Sequence, residues 1–116
     1  MKLAIVGSRS LKNVALDKYL PQGVEEIVSG GAAGIDTLAA EYARRNGLKL
    51  TEILPQYDRY GRAAPILRNK RIVEYADQIL AFWDGSSKGT LSVVRYAEKI
   101  GKPIKMIPLS TDAKLD

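Results

Sequence analysis

Three loops of this 116-residue chain concentrate glycine, serine, threonine, arginine and aspartate, and each directly follows an apolar run. They are residues 7–10 (GSRS), 29–36 (SGGAAGID) and 84–90 (DGSSKGT). A glycine-rich turn that opens a helix presents free backbone N–H groups with the positive end of the helix dipole behind them. Because glycine has no Cβ, a phosphate approaches such a turn closely. The loops therefore predict an anion site, although glycines that serve only as helix caps and tight turns are the alternative.

The loops match neither of the common nucleotide-binding fingerprints. Residues 30–34 (GGAAG) are not GxGxxG, and Lys88 precedes its glycine instead of following it as in the P-loop. A dinucleotide-dependent dehydrogenase and a Walker-type ATPase are therefore both disfavoured.

Two carboxylates are the candidate catalytic groups, because the chain has no cysteine and no histidine. That composition excludes disulfides, a thiolate nucleophile, the Ser-His-Asp triad and the HExxH zinc site. Asp36 lies in the first turn of a predicted helix, where the dipole favours a carboxylate. It either serves only that local role or holds a ribose hydroxyl, a metal or a reacting group. Asp84 follows Trp83 at a strand end, where a turn or N-cap role and a ligand contact are equally open.

Aromatic and basic side chains are interleaved in a predicted loop, which begins at residue 57 and precedes a predicted helix. Residues 58–71 hold five basic side chains and one acidic; Tyr57 directly precedes this stretch and Tyr60 lies within it. Arginines interleaved with aromatic rings suit a bound phosphate and a stacked base, which makes both tyrosines candidates for base stacking. The alternative is a solvated helix face with surface tyrosines.

The elements that must position these loops alternate along the chain. Apolar runs predict strands at residues 3–6, 27–28, 48–54, 79–83 and 103–108, and helical patterns predict helices at 11–20, 35–43, 65–76 and 91–100. This βαβαβαβαβ order predicts an α/β fold, a doubly wound, mainly parallel five-stranded sheet with helices on both faces. The less apolar third run suits a strand nearer an edge. The loops that leave the strands would then share the carboxyl edge, where such sheets bind ligands.

Length and composition predict one domain over residues 1–109, with an unstructured tail at 110–116. No apolar run is long enough to span a membrane, so we expect no membrane partner and a cytoplasmic location. The net charge of +5 permits an anionic partner without identifying it.

Several segments in combination resemble the SLOG superfamily, which groups the DNA-processing Smf/DprA proteins with the Lonely-guy phosphoribohydrolases. The likeness is greatest to its small YspA/YpsA-like branch, long carried as a domain of unknown function, and covers about residues 3–107. The segments are residues 6–9 (VGSR), 28–36 (VSGGAAGID), 59–61 (RYG) with 63–64 (AA), 68–69 (RN), 76–77 (AD), and 82–86 (FWDGS) with 89–90 (GT).

The resemblance implies a Rossmann-like domain that binds a nucleotide or nucleotide-derived ligand over its glycine-rich loops. Lonely-guy enzymes cleave the N-glycosidic bond of a nucleoside 5′-monophosphate, and their pattern has an arginine eight residues before Ala-Asp, then PGGxGTxxE. Arg68 stands eight residues before Ala76, and Gly89-Thr90 matches the Gly-Thr pair. However, the loop at 84–90 is longer, and the position of the catalytic glutamate is Val93. Valine can neither activate water nor stabilise an oxocarbenium-like state.

Three hypotheses remain open. The first is a nucleotide-binding protein, such as a sensor. The second is a nucleotide hydrolase that uses Asp36 or Asp84, with or without Mg²⁺ as a cofactor. The third is single-stranded nucleic-acid binding, which the scattered acidic residues argue against. The Lonely-guy relatives are dimers, so a homodimer is also open. The residues assigned to ligand and phosphate binding are Gly7, Ser8, Arg9, Ser29, Gly30, Gly31, Gly34, Asp36, Arg68, Asn69, Asp84, Gly85, Ser86, Gly89 and Thr90.

Overall fold

A computed structural model describes residues 1–109, so the predicted tail at 110–116 lies outside the described residues. The strands are β1 (Lys2–Gly7), β2 (Glu26–Ser29), β3 (Lys49–Glu52), β4 (Gln78–Trp83) and β5 (Ile104–Pro108). The helices are α1 (Ile35–Arg45), the single-turn α2 (Tyr57–Tyr60), α3 (Ala64–Tyr75) and α4 (Lys88–Ile100), with 3-10 turns at Leu16–Lys18 and Gly61–Ala63.

All five strands pair in parallel in one sheet of order β3-β2-β1-β4-β5. The prediction of a single Rossmann-like, doubly wound α/β domain is confirmed. The less apolar run at 48–54 indeed supplies the edge strand β3. From β1 the chain winds outward to β2 and β3, and then returns to β4 on the other side of β1. The gap between the carboxyl ends of β1 and β4 is therefore the point at which the strand order reverses.

Helices cover both faces of the sheet, as the sequence predicts. On one face, Ile72 and Val73 of α3 and Val93 of α4 pack with Ala4 and Ala81 of the sheet. On the other face, α1 and the segment before β2 pack on alternate strand residues, which are Leu3, Ile5, Ile27, Leu80 and Phe82. Each central strand is thus apolar on both sides, which is why these strands read as continuous apolar runs.

The predicted helix at 11–20 is wrong. Leu11 and Leu16 are each only 4% exposed, but only residues 16–18 form a 3-10 turn. An irregular segment buries the apolar side chains that the helical spacing suggested. Asn13, Val14 and Asp17 are weak helix formers, so tertiary packing decides the conformation here. A smaller difference concerns residues 57–63, expected as loop, which form α2 and a 3-10 turn.

Candidate functional site

A cleft of about 410 Å³ opens between the carboxyl ends of β1 and β4, at the reversal point of the sheet. Its walls come from the loops after β1, β2 and β4, from the N-terminal ends of α1 and α4, and from one face of α3. The predicted site residues that line it are Gly7, Arg9, Gly30, Asp36, Arg68, Asn69, Asp84, Gly89 and Thr90. The predicted residues outside its lining are Ser8, Ser29, Gly31, Gly34, Gly85, Ser86, Tyr57 and Tyr60.

Arg68 projects from α3 into the cleft and is held there by two hydrogen bonds. Its Nη1 donates to the carbonyl oxygen of Gly30 at 2.7 Å, and its Nε donates to Asn69 Oδ1 at 2.9 Å. The amide of Asn69 in turn donates to Ser92 Oγ on α4 at 3.1 Å. Within residues 1–109 these bonds use two of the five guanidinium N–H donors, so three remain for a ligand. The guanidinium is therefore fixed in place before any ligand arrives.

Asp36 is a nearly buried carboxylate in the wall of the cleft, with 8% of its surface exposed. Burial raises the pKa of Asp36, although the Ala32 N–H bond to Oδ2 at 3.0 Å and the nearby Arg68 cation both oppose that shift. The carboxyl therefore holds a proton more readily than an exposed aspartate does. A group of this kind suits a hydrogen bond to a ligand hydroxyl or the donation of a proton.

Asp84 is also at the cleft, but its oxygens accept hydrogen bonds from its own loop and from the loop after β1. Oδ2 accepts from Ser10 Oγ at 2.7 Å, and Oδ1 accepts from the backbone N–H groups of Ser86 and Ser87, both at 2.9 Å. These three bonds, that of Ser10 first, hold the pKa of Asp84 well below its usual range. The contacts support the turn-forming role: Asp84 ties the loop before α4 to the loop after β1.

We expect Asp84→Asn to destabilise the protein by about 1 kcal/mol at neutral pH, because charge-assisted hydrogen bonds become neutral ones. The folded pKa of Asp84 is depressed, so its stabilising contribution is present above the unfolded pKa of about 4 and is lost as the pH falls below it. Urea unfolding of both proteins at neutral and at acidic pH measures the difference. An equal difference at every pH would contradict the assignment.

Other predicted ligand residues lie behind the cleft wall and hold its loops. Ser8 Oγ accepts from the Asp84 N–H at 3.1 Å, and Ser29 Oγ accepts from the Gly31 N–H at 3.2 Å; both serines are buried. Gly7 reaches the cleft, yet a Cβ on it would lie 2.4 Å from Ile35 Cγ1. Glycine at this position allows the first turn of α1 to pack directly against β1.

Two helix N-termini meet at the cleft. Ser87 caps α4 by accepting from the Thr90 N–H at 3.3 Å, and Gly89 follows in the first turn. On the opposite side, α1 begins after Gly34, whose φ of +73° is a left-handed conformation that favours glycine. Helices of 11 and 13 residues thus direct free N–H groups and positive dipole ends toward one space.

Tyr57 and Tyr60 lie on α2, outside the cleft lining and ahead of α3. They are 56% and 40% exposed, and the Arg59 guanidinium carbon stands 5.2 Å from the centroid of the Tyr60 ring. Burial lowers the pKa of Arg68, and Asp36 and Tyr57 oppose that shift. Their part in base stacking stays a prediction.

Sequence reasoning left out several residues that complete the cleft. They are Val6, Ser10, Ala32, Pro65, Ile72, Ser87 and Val93. Ile72 could have been found from its spacing, since it lies one helical turn after Arg68 on α3. Val93 is buried and forms part of the apolar wall. Residues 1–109 contain no cluster of three or more acidic, histidine or cysteine side chains that could hold a metal ion.

Together these features define a doubly wound α/β protein with a polar cleft, lined by two arginines and two aspartates, at the reversal point of its sheet. The chain belongs to the same family as the Gene 61 protein of Mycobacterium phage D29, to which it is 39% identical over 84 residues that cover 67% of each chain. No protein-family model and no solved structure matches it. In the part of the chain that the structure describes, no helix is long and apolar enough to cross a membrane.

Proposed function

We propose that this protein binds a nucleotide or a nucleotide-derived ligand, with a phosphate group in the cleft between β1 and β4. The observation that carries the proposal is the convergence of Arg68, Arg9 and the N-termini of α1 and α4 on one space of about 410 Å³. Ligand pockets for small molecules start at roughly 300 Å³, so the cleft has the size for a nucleoside monophosphate.

The first turn of α4 is the best place for the phosphate. Gly89 lines the cleft, and a Cβ built on it would meet nothing within 4 Å, so no neighbouring atom crowds the backbone there. Arg68 stands on α3 on the other side of the cleft with free donors, and a planar guanidinium suits two phosphate oxygens at once. The Asp36 carboxyl at the start of α1 is then placed to accept from a ribose hydroxyl.

The resemblance to the SLOG superfamily supports the same ligand class. In this proposal residues 1–109 are a SLOG-like nucleotide-binding domain that acts in the cytoplasm, where nucleotides are abundant. The segments 6–9, 28–36, 68–69 and 89–90, which carry part of the resemblance, each contribute residues to the lining of the cleft.

A thermal-shift panel of nucleotides, NAD, ADP-ribose and sugar phosphates tests the proposal, preceded by native mass spectrometry of freshly purified protein. A ligand at about 100 times its dissociation constant adds about 2.7 kcal/mol to the free energy of unfolding, worth several degrees in a domain of this size. Stabilisation by phosphate-bearing compounds but not by the matching nucleosides is the expected result. No shift across the panel, with no co-purified small molecule, would contradict it.

A second candidate function, hydrolysis of a nucleotide, is favoured by one observation. The pKa of Asp36 is raised by burial in the cleft wall, which is the property that a general acid needs. Since Val93 offers no carboxylate, Asp36 would have to act without a glutamate at that position. Any Mg²⁺ would be held mainly by substrate phosphates and water.

We expect Asp36→Asn to be more stable than the wild type at pH 7, by up to about 1 kcal/mol, because it removes a nearly buried negative charge. A raised folded pKa means that the wild type loses stability as the pH rises through that pKa, whereas asparagine does not titrate. The difference should therefore be greatest at neutral pH and vanish near pH 4. Urea titrations at both pH values measure it.

The same Asp36→Asn variant separates the two candidate functions. Each compound that stabilises the wild type is incubated with both proteins, and release of base or phosphate is followed by chromatography. Hydrolysis that the wild type performs and the variant lacks would establish the second function. Hydrolysis that survives the substitution would exclude Asp36 as the acid, and no release by either protein leaves binding as the function.

A further inference from the structure

A second concave surface lies between α3 and α4 and encloses about 570 Å³. We name it the α3–α4 groove. Three larger apolar side chains lie in it: Ile66 near the start of α3, and Leu91 and Tyr96 on α4. Ile66 is 55% exposed, although isoleucine is among the residues most often buried. Apolar side chains left open in a concavity are typical of binding surfaces.

Four cations surround these apolar residues: Lys70 of α3, and Lys88, Arg95 and Lys99 of α4. The residues that line the groove include no carboxylate. The nearby Glu74 accepts a hydrogen bond from the Tyr96 hydroxyl at 2.5 Å, and the Lys70 ammonium lies 5.6 Å from the centroid of the Tyr96 ring. An apolar centre with a cationic border therefore faces solvent.

We propose that the α3–α4 groove is a docking site for an acidic amphipathic helix of another protein. Such a helix would place apolar residues, spaced by three and four positions, on Ile66 and Leu91. Its flanking Asp and Glu side chains would face the four cations, and this charge complementarity would set its register and speed its association.

The same charges argue against the other possible occupants. A second copy related by a two-fold axis would bring four cations against four cations, which is repulsive. A nucleic acid would use the cations but would set its charged backbone over an apolar centre. Binding to a membrane requires apolar side chains that protrude from the surface, whereas the apolar side chains of the groove lie in a concavity.

Binding of a designed peptide to the full chain tests the proposal. The probe is a fluorescent peptide of about 15 residues, with leucine along one helical face and glutamate elsewhere. Its affinity is measured by anisotropy for the wild type, Ile66→Ser and Arg95→Glu. The matched control is Arg71→Glu, since Arg71 is exposed on α3 but does not line the groove. Ile66 and Arg95 are both exposed, so neither substitution should impair folding.

We expect Ile66→Ser and Arg95→Glu each to weaken binding at least tenfold, and Arg71→Glu to weaken it less than about threefold. A peptide with lysine in place of glutamate, or serine in place of leucine, should not bind. Equal binding of the serine peptide, an equal loss in Arg71→Glu or no binding at all would overturn the proposal. So would preference for anionic vesicles or single-stranded DNA, or self-association in sedimentation that Ile66→Ser and Arg95→Glu remove.

Discussion

Arg68→Ala is expected to weaken the binding of a nucleoside monophosphate about 100-fold. A guanidinium that donates two charge-assisted hydrogen bonds to a phosphate contributes about 3 kcal/mol, and each 1.4 kcal/mol is tenfold in affinity. The bonds to Gly30 and Asn69 fix the guanidinium in advance, so its ordering costs little on binding. Isothermal titration with whichever monophosphate gives the largest thermal shift measures the loss.

Arg71→Ala is the matched control for this prediction. Arg71 carries the same charge on the same helix, but it is exposed and does not line the cleft. It should retain the wild-type affinity within about twofold, as expected of a screened surface charge. Equal losses in the two variants would mean that net charge attracts the ligand and that Arg68 has no contact with it. Retained affinity in Arg68→Ala would place the phosphate elsewhere.

Gly7→Ala is expected to have the largest effect on stability, a loss of about 3 kcal/mol or more. A methyl group there would lie 2.4 Å from Ile35 Cγ1, 2.7 Å from Ile35 Cβ and 2.9 Å from the carbonyl oxygen of Phe82. Two of these three atoms belong to the first residue of α1, so the helix would have to move away from β1. Urea unfolding of the purified variant measures the loss, and failure to obtain folded protein would agree with it.

Gly89→Ala, in contrast to Gly7→Ala, is expected to increase the stability of the protein. Gly89 lies in the first turn of α4 with open space around it, so alanine should stabilise the protein by about 0.5 kcal/mol through helix propensity. The new methyl group would stand where we place the phosphate, and nucleotide affinity should fall although stability rises. Loss of stability in Gly89→Ala, or none in Gly7→Ala, would contradict these assignments. Unchanged affinity in Gly89→Ala would move the phosphate away from α4.

Much of the fold could be predicted from local patterns. The runs at 3–6 and 79–83 are continuously apolar, as expected of strands covered on both faces, and they became the central strands β1 and β4. The spacing at 35–43 predicts a helix that the structure has at Ile35–Arg45. These predictions succeed because burial of a strand on both faces, or of a helix on one face, places apolar residues at regular positions in the sequence.

The same counting failed at residues 11–20. Leu11, Val14 and Leu16 contact the core as the spacing requires, but the backbone that carries them is irregular apart from one 3-10 turn. Apolar periodicity predicts which side chains are buried. It predicts the backbone conformation only where the local residues also favour that secondary structure. The short helix at Tyr57–Tyr60 was missed because a single turn has no period to detect.

For the candidate site, the βα order of the sequence was enough to predict which loops meet, because the carboxyl ends of parallel strands must lie on one edge of the sheet. The contacts of each side chain could not be predicted in this way. Arg68 donates to a carbonyl 38 residues away, and Asp84 accepts from a serine 74 residues away. Asp36 and Asp84 are equivalent candidates in the sequence, but the structure distinguishes them. Asp36 is nearly buried and its pKa is raised, whereas Asp84 joins two loops by hydrogen bonds and its pKa is lowered. Burial and hydrogen bonding set that difference, and both depend on neighbours that only the packed chain brings together.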